Sequence, residues 1–130
     1  VMSDAIRILV LDDDQLVRES ISAFLEDEGF LVDAVSTAEE ALKRLVSVRH
    51  EVCITDYSLP GMDGEGLIIM AHKLSPATRF IMHSGVIFTA SDELLKTGFT
   101  MENVMVKPIM RLELLTEKIM NLAGKQGASE

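Results

Sequence analysis

Ile8-Leu9-Val10-Leu11-Asp12-Asp13-Asp14 is an apolar run that ends abruptly in three consecutive acids. Further along, Val52-Cys53-Ile54-Thr55-Asp56 repeats the arrangement with one acid, and Val104-Met105-Val106 ends in Lys107-Pro108. Short continuous apolar runs bounded by turn residues are the mark of strands buried on both faces of a parallel sheet. If the ends of these three strands lie side by side, several carboxylates and one ammonium crowd into a single pocket. Packing does not explain such a cluster, because like charges at close range raise each other's ionisation cost.

Working outward, short apolar runs alternate with amphipathic stretches of about ten residues, the pattern of repeated βα units around a parallel sheet. The first strand is expected over about Ile6 to Leu11. A helix follows, with Val17, Ile21, Phe24, Leu25 and Glu28 at spacings of three and four and Gly29 as its C-cap. Leu31 to Val35 reads as a weaker strand near an edge. Thr37-Ala38-Glu39-Glu40 is a capping box that opens a helix bearing Ala41, Leu42 and Leu45. The third strand, Glu51 to Thr55, leads into Leu59-Pro60-Gly61-Met62-Asp63-Gly64, a loop before a helix bearing Leu67, Ile68, Met70 and Ala71. Arg79 to Met82 is expected as the fourth strand, with His83-Ser84-Gly85 at its end. A short helix over about Ser91 to Thr97 stops at Gly98. The fifth strand, Asn103 to Val106, precedes a last helix with Leu112, Leu115, Ile119 and Leu122. These elements make one domain over residues 1–124, with 125–130 as a tail or linker stub.

At 130 residues, with 48% hydrophobic and 25% charged residues, the chain fits one globular domain with a substantial core. The formal net charge of -9, from 21 acidic and 12 basic residues, argues against direct binding to nucleic acid. No apolar run approaches the roughly 18 residues that span a membrane, so membrane insertion is not expected. The apolar start ends in three aspartates, unlike a signal peptide. The expectation is a cytoplasmic protein. The lone Cys53 forms no internal disulfide and reads as a small core residue in a reducing compartment. The eight methionines read mainly as core filler.

In a doubly wound sheet, ligands bind at the carboxyl ends of the strands. Asp12, Asp13, Asp56, Ser84 and Lys107 all fall at such ends, on four of the five expected strands. Mg²⁺ takes an octahedron of oxygens, commonly a few carboxylates with waters and a phosphate oxygen. Asp13 and Asp56 can each give one carboxylate oxygen, Asp12 can act directly or through water, and a carbonyl just after Asp56 can complete the shell. A carboxylate there can attack phosphorus and become an acyl phosphate, in a reaction that needs positioning and charge neutralisation. Lys107 supplies a compact cation for a phosphoryl oxygen, and the Ser84 hydroxyl a hydrogen bond to another. Asp14 fits a bland role as the cap of the first helix. His50, His72 and His83 show no ligand spacing and are not expected in the chemistry.

Leu9-Val10-Leu11-Asp12-Asp13-Asp14, Ile54-Thr55-Asp56-Tyr57-Ser58-Leu59-Pro60-Gly61-Met62-Asp63-Gly64, Ser84-Gly85 and Val106-Lys107-Pro108, in that order, resemble the receiver domain of two-component response regulators. The match runs from about Ile6 to Ala123. It implies an α/β, three-layer, doubly wound (βα)5 flavodoxin-like fold with a five-stranded parallel sheet of order 2-1-3-4-5. It also implies a phosphorelay signalling switch rather than an enzyme acting on a separate substrate. Asp56 would accept a phosphoryl group from a sensor histidine kinase or phosphotransfer protein. Asp12, Asp13, Asp56 and the Ser58 carbonyl would hold Mg²⁺, and Ser84 and Lys107 would contact the phosphoryl group. The output surface for a partner or effector domain, or for a second copy, would comprise the fourth helix, fifth strand and fifth helix. Val104, Met105, Met110, Leu114 and Met120 are apolar there beyond one core-facing stripe, which fits either a wider buried stripe or such a face.

Three positions depart from the family pattern. The position three before the lysine, where relatives often place an aromatic that turns inward, is Val104, so coupling must run through the loop after Ser84 and the short helix beyond it. Ser58 and Val86 stand where some relatives orient a hydrolytic water. Val86 cannot hydrogen-bond through its side chain, which implies a fairly long-lived acyl phosphate. Two other readings compete. In a haloacid-dehalogenase-like phosphatase, Asp12 and Asp14 would form the strand-end pair, but no Gly-Thr follows it and Asp56 is left unexplained. A receiver-like module without phosphorylation, acting only by binding, is the other.

Overall fold

The computed structural model describes residues 5–107, 109 and 111–124. Along the chain run β1 (Arg7–Leu11), α1 (Gln15–Asp27), β2 (Leu31–Val35), α2 (Ala38–Ser47), β3 (Val52–Asp56), α3 (Gly64–Leu74), β4 (Arg79–Ser84), α4 (Asp92–Leu95), β5 (Val104–Val106) and α5 (Glu113–Leu122), with a 3-10 turn at Met101–Asn103 before β5. All four strand pairings are parallel, in the order β2-β1-β3-β4-β5. β2 lies at an edge beside β1 and is partly exposed, as its weaker pattern foretold.

Alternation along the strands builds two cores, one on each face of the sheet. Leu9, Leu11, Cys53, Phe80 and Met82 point to one side, where Ala41 and Leu45 of α2, Leu67, Ile68 and Ala71 of α3 and Leu94 of α4 close over them. Ile8, Val10, Val52, Ile54, Ile81 and Met105 point to the other, under Ile21 and Leu25 of α1 and Leu115 and Ile119 of α5. Each fully buried aliphatic side chain stabilises the fold by about 1.5–3 kcal/mol. The layers hold the strands rigidly, so the residues at their carboxyl ends are held with them.

Local chemistry sets the helix limits. Asp14 Oδ1 accepts from the amides of Leu16 and Val17 and so caps α1, and Gly29 follows it at φ +97, a left-handed conformation that glycine adopts without a Cβ clash. Thr37 Oγ1 accepts from the Glu40 amide, while Glu40 reaches back to the amide and hydroxyl of Ser36 rather than to Thr37 itself. Asp63 caps α3 through the Gly66 amide.

Several expectations are corrected. β4 runs two residues beyond Met82, because His83 pairs with Asp56 and with Met105, and Ser84 with Val106. α4 is shorter than expected: Ser91 caps it through the Leu94 amide, the Thr97 hydroxyl donates to the Leu94 carbonyl, and the helical residues between are only four. Met70 is exposed rather than core-facing. Most of the described methionines do fill the core: Met82 and Met105 are buried and Met62 and Met120 pack against the clusters, while Met70 and Met101 are exposed. Of the apolar residues noted at the fifth strand and fifth helix, Met105 is buried and Val104, Leu114 and Met120 are partly buried against the cores. Met110, Pro108 and the tail at 125–130 lie outside the described residues.

Candidate functional site

The acidic pocket begins where β1 stops. Leu11 is the last β1 residue, and the turn that follows is tied down by the Asp14 amide donating to Asp12 Oδ1 at 2.8 Å and by Arg18 Nη1 donating to the Asp12 carbonyl at 2.8 Å. Asp12 is buried, whereas Asp13 is exposed to solvent. Asp56 ends β3, the neighbouring strand, and is only 4% exposed. One carboxylate oxygen from each of Asp12, Asp13 and Asp56 lies within 4.8 Å of the others. The three strand ends are not consecutive neighbours, because β4 separates β3 from β5. Lys107, anchored by its amide to the Ser84 carbonyl at 2.8 Å, therefore reaches past the end of β4 to put Nζ 2.8 Å from Asp56 Oδ2 and 3.5 Å from Asp12 Oδ2.

The electrostatics follow from this crowding. Burial pushes the Asp12 carboxyl above its ordinary range, with the Asp56 charge adding to it and the Asp14 amide and Lys107 opposing it. Burial works against the Lys107 charge, but its bond to Asp56 and the charges of Asp12 and Asp56 outweigh that and raise it. Lys107 is thus firmly cationic. Asp12 Oδ2 is buried with no well-aligned hydrogen bond, so the pocket holds carboxylate charge that its own groups do not fully compensate. Three clustered carboxylate oxygens, on residues that include a buried oxygen without a hydrogen bond, are the donor set a hard divalent cation takes, and the residues fit such an ion.

The loop after β3 is shaped by close approach. The Ser58 amide donates to Asp56 Oδ1 at 3.2 Å, orienting the carboxylate that faces Lys107 through its other oxygen. Gly64 donates to the Tyr57 carbonyl at 2.7 Å. A Cβ on Gly64 would stand 2.6 Å from the Asp56 carbonyl oxygen, so glycine is required for α3 to start this near the site. Ser84, at the end of β4, is buried, and its hydroxyl exchanges hydrogen bonds with the backbone of Val86, donating at 2.9 Å and accepting at 3.1 Å. Tyr57, next to Asp56, packs its ring against Phe88 of the β4–α4 loop, centroids 5.0 Å apart and tilted by 53°.

Asp12, Asp13, Asp56 and Lys107 are thus brought together, with Ser84 at the adjoining strand end and Ser58 tied to Asp56 by its amide. Asp14 caps α1 through Oδ1, the bland role expected of it. Sequence reasoning passed over three features. One is His83, whose buried Nε2 lies 3.2 Å from Asp12 Oδ2. Burial, aided by the Lys107 charge and opposed by Asp56, pushes this imidazole down to about 4, so it is neutral near pH 7. The others are the Tyr57–Phe88 pair and the close approach at Gly64. Extending the β4 alternation from Ile81 to His83 was the one available signal for the histidine. Cys53, by contrast, is a core residue whose thiol burial pushes up to about 12.

Comparison with known proteins adds a second line. A family model described as the response regulator receiver domain matches residues 8–119. The chain is 32% identical to a CheY-like response regulator receiver domain protein of Methanospirillum hungatei JF-1, with a TM-score of 0.80 over 94% of this chain and 96% of that one. It is 28% identical to the response regulator TrrA of Thermotoga maritima, solved in complex with Mg²⁺ and BeF, with a TM-score of 0.77 over 90% of this chain and 98% of that one. Among curated proteins it is 28% identical over 114 residues to the uncharacterised transcriptional regulatory protein YesN of Bacillus subtilis, covering 85% of this chain and 30% of that one. The chain therefore spans about a third of the length of that regulator. No helix of the described residues is long and apolar enough to cross a membrane.

Proposed function

We propose that this chain, which belongs to the response regulator receiver domain family and is a signalling switch of two-component systems, switches when Asp56 accepts a phosphoryl group. The donor would be a sensor histidine kinase or phosphotransfer protein, and the setting the cytoplasm. The observation that carries the reading is Asp56 itself: a carboxylate buried at a strand end, with Oδ2 held by Lys107 at 2.8 Å and Oδ1 by the Ser58 amide, beside two further carboxylates.

Asp12, Asp13, Asp56 and the Ser58 carbonyl would hold Mg²⁺, which when bound offsets the carboxylate repulsion and neutralises phosphoryl oxygens. A carboxylate oxygen of Asp56 attacks phosphorus as the phosphorus–nitrogen bond of the donor's phosphohistidine breaks. The imidazole leaves with the bonding electrons and takes a proton, and Asp56 becomes an acyl phosphate. Lys107 exchanges its bond to Asp56 for one to a phosphoryl oxygen, where its charge is most useful. The domain thus takes part in its own phosphorylation and dephosphorylation without turning over a separate substrate.

The Ser84 hydroxyl would leave Val86 and donate to another phosphoryl oxygen, moving the loop of Val86, Ile87 and Phe88 against Tyr57. Trading two neutral hydrogen bonds of about 1 kcal/mol for one to a charged group of about 1.5–3 kcal/mol leaves a small net drive. Since a shift from 1:99 to 99:1 takes about 5.5 kcal/mol, the hydroxyl alone moves the population only partly. Output would leave from the α4-β5-α5 face to an effector domain, a partner or a second copy. Among the described residues, Leu95, Met101 and Val106 are exposed apolar side chains of these elements and the turn before β5, and Val106 lines a groove of about 550 Å³ with Arg111, Leu114 and Lys118.

Intact mass after incubation with acetyl phosphate, with and without Mg²⁺, tests the reading on the native chain and on Asp56→Asn. A Mg²⁺-dependent phosphoryl adduct that the variant lacks supports it. An adduct that persists in Asp56→Asn moves the acceptor to Asp12, and no adduct on the native chain from acetyl phosphate or from a phosphohistidine donor leaves a binding module.

A further inference from the structure

Among the described residues, His83 is the one group buried against the acidic pocket that takes no part in the proposed phosphoryl transfer. Its ring is fully buried on the α1–α5 side of the sheet, in line with Ile81 and beside the end of β3. An apolar side chain would fill that place at no desolvation cost, as Ile81 does two residues earlier, so packing does not account for the imidazole. Nε2 lies 3.2 Å from Asp12 Oδ2, yet the two are not aligned as a hydrogen bond, and both atoms are buried without a partner. Two facing lone pairs at that distance repel, so a proton on the nitrogen beside the carboxylate is the arrangement that relieves the contact.

The rest of Asp12 is already fixed. Its Oδ1 accepts from the Asp14 amide at 2.8 Å, and its backbone carbonyl accepts from Arg18. Its other neighbouring donor, Lys107, stands 3.5 Å away and is committed to Asp56, and it is the group a phosphoryl oxygen would draw off. His83 Nε2 is then the remaining polar neighbour of Asp12 Oδ2, at 3.2 Å.

We propose that His83 is a positioning residue for the divalent-cation site, its Nε2–H donating to Asp12 Oδ2 and setting the direction in which Asp12 presents its carboxylate to the metal. The proposal rests on the receiver reading of Asp12. A donor held behind a ligating carboxylate typically governs metal affinity by a factor of about 10–100.

The test is Mg²⁺ titration calorimetry on the native chain, His83→Leu and His83→Gln, with urea unfolding in EDTA as the folding control and ¹⁵N NMR of the native histidines. Leu fills a similar volume but cannot donate, and it should weaken Mg²⁺ binding about tenfold. Gln carries an amide N–H near the position of Nε2 and should restore most of that loss, which a purely structural role does not predict. The His83 ring should show protonated Nε2 and bare Nδ1, with shifts that move on adding Mg²⁺. Native-like Mg²⁺ affinity in a folded His83→Leu overturns the proposal alone, as does a proton on Nδ1. Absence of Mg²⁺ binding by the native chain overturns the reading of the acidic pocket and the proposal together. If His83→Leu does not fold, the ring tautomer and its response to Mg²⁺ in the native chain decide the matter.

Discussion

Lys107→Met keeps the apolar stem of the side chain and deletes its ammonium, which makes it a direct probe of the pocket. Nζ lies 2.8 Å from Asp56 Oδ2 and 3.5 Å from Asp12 Oδ2. At an effective dielectric constant of about 20, a unit pair at such separations attracts by about 5–6 kcal/mol before desolvation is subtracted. Desolvation removes most of that gain while the pair is intact, but removing one partner leaves the other charge buried, at about 3–5 kcal/mol. The Lys107 side chain is 26% exposed and that of Asp56 6%, so water reaches part of the pocket and the expected loss is about 2–3 kcal/mol. The chain has no tryptophan, so unfolding is best followed by far-ultraviolet circular dichroism in urea. With a slope of about 1–3 kcal/mol per molar urea, the midpoint in EDTA should fall by about 1 M. Adding Mg²⁺ should raise the midpoint of the variant more than that of the native chain, because a cation then replaces the missing charge among the carboxylates. Asp56→Asn in the Lys107→Met background should recover part of the loss, and the cycle of four proteins isolates the coupling. A variant whose midpoint in EDTA matches the native one would refute the reasoning.

Three further outcomes are expected. Gly64→Ala should cost about 1–3 kcal/mol and slow phosphorylation of Asp56, because the new Cβ would meet the Asp56 carbonyl oxygen at 2.6 Å and Tyr57 Cα at 3.0 Å; native stability in urea would show the loop can yield. Asp33 on β2 is pushed up by burial, but His50 Nε2 at 2.7 Å and Arg44 at 3.1 Å outweigh that and hold its carboxyl below the usual 3.8. An acid with a lowered folded pKa contributes stability that is fully present above the unfolded value and is lost as pH falls through the folded one. Asp33→Asn should therefore flatten the stability curve below about pH 4, and an acid limb as steep as the native one would count against it. Finally, the exposed Val86 side chain offers no hydrogen bond to a hydrolytic water, so the Asp56 acyl phosphate should decay slowly. Release of phosphate from the labelled chain measures this, and hydrolysis among the fastest of the family would sink the idea.

The order and kind of the elements were legible in the amino-acid sequence, since that information is local. Apolar runs such as Ile8 to Leu11 and Val52 to Ile54 can only be buried on both faces, and the helical spacing of Ile21 with Leu25 or Leu115 with Ile119 demands a sheet to cover. The acids after β1 and β3 were legible for the same reason: a charge that follows directly on a buried strand has nowhere to go but the strand end.

What the tertiary structure decided were relations between residues far apart in the chain. Lys107 and Asp56 are 51 residues apart, and only the order β3-β4-β5 shows that the lysine must reach past β4 to meet the aspartate. Strand pairing carried β4 through His83 and Ser84, which put the histidine against Asp12 and left the serine hydroxyl to the Val86 backbone. The same packing turned Met105, Leu114 and Met120 inward and left Val106 outside. Composition and periodicity report whether a residue wants burial; register and layer packing decide against which neighbour it is buried, and the chemistry of this pocket depends on the neighbours.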